Sequence, residues 1–220
     1  MTLNTNPVSF KADVNKSFDV FSQRVIKGVK RGQKIDLQTF SKDLTKFEDS
    51  FETDKNILNK KSKNLAETLV SLNKDNMASI VYGFLIRVNN GNIKLAEEFA
   101  TNALKIAKRL NDPVNIAARA NDLKEVYRVF PPKNEKFISI LYDEKHALNK
   151  IINNYDNIQK QNKNLKAKED YQLLLADVKF EIGKRHSDKN LARQELIEAK
   201  TIYENLGMTE KTERLNEFLI

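Results

Sequence analysis

Few side chains in this sequence are suited to catalysis or metal binding. The 220 residues include two histidines, His146 and His186, and no cysteine. The lack of cysteine excludes thiol catalysis, disulfides and cysteine-ligated zinc or iron–sulfur clusters. Asp143 precedes His146 by three residues, the spacing that carboxylate-bridged metal sites use in helical bundles. Such a site needs a second pair and inward-facing glutamates, and His186 has no such neighbours, so we expect no metal and interpret both imidazoles as solvated.

The common enzyme motifs are also missing. The six glycines do not form the glycine-rich patterns that bind nucleotide phosphates. No serine or threonine lies in a recognisable nucleophile elbow or catalytic triad. Adjacent acids such as Glu97 and Glu98 point in different directions on a helix, and a solvated surface accounts for them. We therefore predict a non-catalytic protein without a cofactor.

Four basic residues form the clearest charged cluster. Lys and Arg number 38 against 30 Asp and Glu, a formal net charge of +8. The cluster gathers where the first predicted helix ends, and it consists of Lys27, Lys30, Arg31 and Lys34. It has the charge to contact phosphates, although cations near a helix C-terminus are also favoured by the helix dipole. Binding of nucleic acid or of an anionic surface is therefore an alternative function, and a solvated face is the simpler interpretation.

Long helices joined by short turns must position these residues, because apolar residues recur every three or four positions and no strand pattern occurs. The first helix should end near Gly32. In the next segment, residues 37–72, leucine or phenylalanine recurs every seventh residue. The two segments predict a long N-terminal hairpin over residues 10–72. Either the second helix breaks near residues 53–56 or its later half packs by a narrower edge, and its apolar seam is also suited to self-association.

Proline and glycine mark the boundaries of the later helices. Helices are predicted over about 76–89, 93–110 and 113–129, with Asp112 as an N-cap and Pro113 in the first turn. Pro131 and Pro132 then prevent the helix from continuing. A long helix starts at Asn134, two more follow, Gly207 ends the second of these, and a short helix begins at Thr209.

Residues 91–130 carry a recognisable pattern of small and aromatic side chains. Ala96 and Ala103 lie seven apart on one helix, and Leu123 and Tyr127 lie four apart on the next. This pattern resembles the tetratricopeptide repeat, in which small residues allow the two helices of a pair to approach closely. Ala192 and Ala199 repeat the spacing near the C-terminus.

The resemblance implies a fold and a domain organisation. The two alanine pairs are 96 residues apart, which is not a multiple of the family's period of about 34 residues. We therefore expect an all-α fold, an irregular tetratricopeptide-like α-solenoid of antiparallel helical hairpins. Residues 1–73 should form the N-terminal hairpin and residues 74–220 the repeat region.

The resemblance also implies a binding face. In solenoids of this family the first helix of each pair lines a groove, which places Asn121, Glu125 and Arg128 on the binding side. The family's basic trap for a peptide carboxylate is not reproduced, because the corresponding positions hold Val81, Leu85 and Asp122. A carboxylate-trapping cochaperone is therefore not expected.

A function and a location follow as expectations. We expect a protein-binding scaffold that holds a protein or peptide segment on the helical-repeat surface. No apolar run reaches the length of a membrane helix, and the first ten residues lack the features of a secretory signal. A cytoplasmic protein without membrane contact is therefore expected.

Overall fold

The computed structural model describes residues 7–48, 51–89, 91–129, 134–162 and 165–219, and its regular elements are all α-helices. In chain order they are α1 (Pro7–Lys30), α2 (Leu37–Thr45), α3 (Phe51–Ser71), α4 (Asp75–Val88), α5 (Ile93–Leu110), α6 (Pro113–Val129), α7 (Asn134–Asn153), α8 (Tyr155–Gln161), α9 (Lys168–Arg185), α10 (Lys189–Asn205) and α11 (Thr209–Asn216). The described residues contain no strand, which confirms the all-α prediction.

Two compact units make up the chain, Met1–Leu110 and Asn111–Ile220. In the first unit α1 packs against α3, α2 against α4, and α3, α4 and α5 pack in sequence order. Asp75 at the start of α4 pairs with Arg109 at the end of α5, so these two helices are antiparallel. Contacts of each helix with its next and next-but-one neighbour are typical of stacked hairpins.

The second unit follows the same plan. Helix α6 packs against α7, α7 against α9, and α9 against α10. The ion pairs of Lys179 with Glu195 and Glu198 join α9 to α10, and Lys145 of α7 also pairs with Glu195. Each unit is thus an irregular stack of antiparallel helical hairpins, the fold class that the sequence predicted.

Glycine in a left-handed conformation ends two of the helices. The amide of Gln33 donates to Gly28 O at 3.0 Å and that of Gly32 to Val29 O at 3.0 Å, while Gly32 has a φ of 71°. These two bonds and the left-handed glycine form a Schellman motif, which ends α1 at the predicted place. Gly207, with a φ of 67°, ends α10 in the same way.

The first hairpin differs from its prediction in one respect. One of the two alternatives was a break near residues 53–56, whereas α2 ends at Thr45 and α3 begins at Phe51. The turn after α2 places Phe47 against Phe18 of α1, with ring centroids 5.0 Å apart. This aromatic contact favours a turn here over the continuous helix that the heptad pattern indicates.

The apolar seam of residues 37–72 contributes to the core of the first unit. Leu44, Leu58 and Leu65 are buried there, whereas Leu37 stays partly exposed. Self-association through residues 37–72 stays a prediction.

The small residues lie where helices meet. Ala96, Ala103 and Ala199 are buried, and Ala192 is half-buried. A Cβ added at Gly183 of α9 would lie 2.9 Å from the backbone oxygen of Ala192, so α9 and α10 are in close contact at this point. Three of the four alanines are thus buried, whereas Ala192 is only half-buried and contacts α9 through its backbone.

The three middle helices match their predicted ranges within one residue. Pro131 and Pro132 lie outside the described residues, and α6 and α7 on either side of them belong to the same unit. The boundary between the two observed units falls after Leu110. The sequence suggested a division after residue 73, and that division stays a prediction.

None of the described helices combines the length and apolar character of a membrane span.

Candidate functional site

The predicted binding helix, α6, starts with a well-defined cap. Asp112 Oδ1 accepts hydrogen bonds from the amides of Val114 at 3.0 Å and Asn115 at 3.2 Å. Pro113 occupies the first helical position, where no backbone donor is required. Further along this helix, Ala117, Ala118 and Asn121 face the same side.

That side of α6 forms one wall of a cleft of about 370 Å³. We call it the α6 cleft and define it by Ala117, Ala118 and Asn121 of α6, Glu144 and Leu148 of α7, and Tyr171 of α9. Tyr155 donates a 2.7 Å hydrogen bond to the backbone oxygen of Lys166, another lining residue, which ties the segment before α9 to α8. The cleft lies entirely within the second unit.

A buried ion pair lies beside the cleft. Lys124 of α6 donates to Glu144 Oε1 at 2.8 Å, and the two side chains are 6% and 2% exposed. The other carboxylate oxygen, Oε2, is buried and has no hydrogen-bond partner among the described residues. Burial raises the pKa of Glu144 above its ordinary value, and the nearby ammonium of Lys124 offsets this only in part.

The cleft is otherwise mostly apolar. Val114, Leu148 and Leu174 contribute aliphatic side chains from three helices. Burial also raises the pKa of the Tyr171 phenol. An apolar cleft with a few polar groups is the usual form of a binding site, because apolar contacts supply affinity and polar groups fix orientation.

The three residues predicted to bind a partner do not share one environment. Asn121 lines the cleft. Glu125 and Arg128 are exposed further along α6 and pair with each other at 2.8 Å. They extend the polar surface of α6 beyond the cleft, and their role in binding stays a prediction.

The three positions that correspond to the family's carboxylate trap do not form one site. Val81 and Leu85 are fully buried in the core of the first unit, whereas Asp122 lines the α6 cleft and pairs with Arg119 at 2.6 Å. Two fully buried aliphatic side chains offer a ligand no contact.

The basic cluster lies in the first unit. Lys27, Lys30, Arg31 and Lys34 are all exposed, and none of the four forms an ion pair with a described residue. Lys27 and Lys30 belong to the last turn of α1, and Arg31 and Lys34 follow it. The cluster is therefore open to an anionic ligand, and its function stays a prediction.

Both histidines lie beside the ring of Tyr142. The ring centroids of His146 and His186 are each 6.2 Å from it. The Nδ1 atom of His186 accepts a hydrogen bond from the amide of Asp188 at 3.1 Å. Among the described residues no group of three or more His, Asp or Glu side chains is arranged to hold a metal ion.

The sequence prediction missed Lys124 and Glu144. A signal was present, because Glu144 occupies the apolar stripe of α7 between Leu141 and Leu148, at steps of three and four. In the same way, Lys124 lies in the apolar stripe of α6, three residues before the buried Tyr127. One charged residue in each of two apolar stripes indicates a buried pair, although the sequence does not show which charges meet.

Comparison with known proteins adds no family to this description. No protein-family model matches the sequence, and a search of the curated proteins gives no match either. The fold and the cleft define the class as an all-α protein of stacked helical hairpins.

Proposed function

We propose that this protein is a non-catalytic scaffold that binds a protein or peptide segment on the α6 face of its second unit. The observation that carries the proposal is the α6 cleft, which is mostly apolar, bordered by three helices and lined by Asn121. Stacked hairpins form a stiff frame from mostly local contacts, so such a surface needs little reorganisation to bind.

The proposal includes the type of repeat. We propose that the hairpins are tetratricopeptide-like, which is supported by the buried small residues Ala96, Ala103 and Ala199 and by the close contact of α9 with α10. The polar surface of α6 continues from Asn121 to Glu125 and Arg128, so a bound segment would extend beyond the cleft. We also propose a cytoplasmic location, which cell fractionation would test.

Affinity capture with a triple variant tests the binding face. Partners are captured from a lysate of the source cells with the wild-type protein and with Asn121→Ala, Glu125→Ala and Arg128→Ala combined. The affinity of a purified partner is then measured by calorimetry. We expect the triple variant to bind about tenfold more weakly or worse, because a few residues carry most of the energy of an interface and arginine is frequent among them.

A matched control separates this face from general loss of polar surface. Asn157, Arg193 and Glu204 are exposed residues of the second unit that do not line the cleft. Their triple alanine variant should retain wild-type affinity. Equal affinity of all three proteins would show that the partner binds elsewhere.

A second candidate function is supported by the basic cluster. Four exposed cations lie within eight residues, Lys27 to Lys34, and none has an ion-pair partner in the part of the chain that the structure describes. Such a cluster would contact the phosphates of nucleic acid or another anionic surface.

A further inference from the structure

The Glu144 carboxylate is only half satisfied. Its Oε1 atom accepts a hydrogen bond from Lys124, whereas its Oε2 atom has no partner in the described part of the chain. A buried acceptor without a donor is unfavourable, and native proteins rarely leave one unless a ligand or water completes it. Glu144 lines the α6 cleft, although its Oε2 atom is itself covered.

The charges around the cleft restrict the kind of donor. Asp122 is paired with Arg119, and Glu144 is paired with Lys124. Lys166 adds a further positive charge to the lining. Because both carboxylates are already paired with cations, a ligand ammonium or guanidinium would add an unbalanced charge at a partly buried site.

The shape and chemistry of the lining favour an aromatic ring. Side chains such as Ala117, Ala118 and Leu148 make it mostly apolar, and a cleft of about 370 Å³ is large enough for one big side chain. Tyrosine and tryptophan combine an apolar ring with a single neutral donor, and both are enriched at protein interfaces for that reason.

We propose that the α6 cleft binds a tyrosine or tryptophan side chain of the partner, whose O–H or N–H donates to Glu144 Oε2. This inference rests on the proposed function and specifies the residue that the partner inserts. Oε2 is covered in the free protein, so the donor reaches it after a lining side chain changes its rotamer.

Paired small probes isolate the contribution of the donor. The full chain, labelled with ¹⁵N, is titrated with N-acetyl-tyrosine amide and with N-acetyl-phenylalanine amide, which differ by one hydroxyl. N-acetyl-tryptophan amide and N-acetyl-lysine amide complete the set. We expect the amide signals of Ala117, Ala118 and Asn121 to shift, and the tyrosine probe to bind about tenfold more tightly than the phenylalanine probe.

Two variants identify the site. Lys124→Met with Glu144→Leu replaces the buried pair by apolar groups, a change that proteins often tolerate, and should abolish the preference for tyrosine. Ala118→Leu fills the cleft from an exposed helical position and should prevent binding of both aromatic probes. Glu135→Gln with Lys150→Gln removes two exposed charges of α7 and should change nothing.

The outcomes distinguish this inference from the function on which it rests. Equal binding of the tyrosine and phenylalanine probes, tighter binding of the lysine probe, or no binding of the tyrosine probe would overturn the inference. If the tyrosine probe prefers the wild-type cleft but Ala118→Leu leaves the affinity of the captured partner unchanged, the inference stands and the proposed role of the cleft in partner binding fails.

Discussion

Glu144 and Lys124 show how a single buried pair affects both stability and binding. The pair joins α6 to α7, and both of its side chains are almost completely buried. Removing two charges from water is costly, and their attraction compensates fully only when every remaining lone pair is satisfied. Here no described residue donates a hydrogen bond to Glu144 Oε2. The stability of the second unit should therefore depend on the protonation state of this carboxylate.

The pH dependence of stability tests this conclusion at the scale of the residue. Burial raises the pKa of Glu144 above its ordinary 4.5, an effect reduced by Lys124 and Arg128 and increased by Glu125. The folded protein thus holds this proton more tightly than the unfolded chain does, so the group favours folding at low pH and loses that contribution as the pH rises through its folded-state pKa.

Urea unfolding at several pH values compares the wild type with Lys124→Met combined with Glu144→Leu. At neutral pH we expect the variant to be equally stable or more stable, by up to about 4 kcal/mol. Relative to the wild type, its free energy of unfolding should rise as the pH increases above 4.5. A wild type that instead gains stability over the variant in this range would contradict the argument.

The close packing of α9 against α10 depends on a small residue at their contact. Gly183 lies inside α9, where glycine is less favourable than alanine by about 1 kcal/mol. An added Cβ would lie 2.5 Å from Leu196 Cγ and 2.9 Å from the backbone oxygen of Ala192. Because a backbone oxygen cannot move without its helix, glycine here allows α9 and α10 to pack closely.

Gly183→Ala tests this packing. Overpacking in a core costs about 1–3 kcal/mol, which exceeds the gain of about 1 kcal/mol in helix propensity. We expect a net loss of up to about 2 kcal/mol in the free energy of unfolding, measured with urea. Gly91→Ala is the control, because a Cβ at Gly91 meets nothing within 4 Å and should cause no comparable loss. A stabilised Gly183→Ala protein would show that the helices have room to separate.

Charge is unevenly distributed over the whole molecule. Residues 1–110 contain 19 basic and 12 acidic side chains, whereas residues 111–220 contain 19 and 18. The first unit therefore holds nearly all of the net charge of +8, including the basic cluster of residues 27–34. The α6 cleft belongs to the nearly neutral second unit, so the two candidate functions fall on different units and can be tested separately.

Salt dependence tests the second candidate function. Binding to a fluorescent DNA duplex is measured over a range of salt concentrations, and each phosphate contact contributes about 0.9 to the slope of log K against log salt. If the basic cluster binds phosphates, changing Lys27, Lys30, Arg31 and Lys34 to glutamine should lower the slope by about 3–4.

A second quadruple variant provides the comparison for that measurement. Lys16, Lys60, Lys74 and Lys94 are also exposed residues of the first unit, so their change to glutamine removes the same charge. This second variant should lower the slope of log K against log salt much less than the first. Equal losses in the two variants would mean that only the diffuse charge of the unit attracts DNA.

Features that depend on near neighbours could be predicted from the sequence by itself. The ends of α1 and α10 follow from Gly32 and Gly207, and the start of α6 from Asp112 and Pro113. The buried faces of the helices follow from apolar spacing. These features need only residues within about one or two helical turns, so the local sequence contains the necessary information.

Only the tertiary structure decided the rest. The turn after α2 brings Phe47 against Phe18, and the packing of α6 against α7 brings Lys124 to Glu144. The α6 cleft arises because Asn121, Glu144 and Tyr171, which lie on three helices, border the same space. Such contacts join residues that are distant along the chain, and their energies depend on burial, which is set only when the helices pack together.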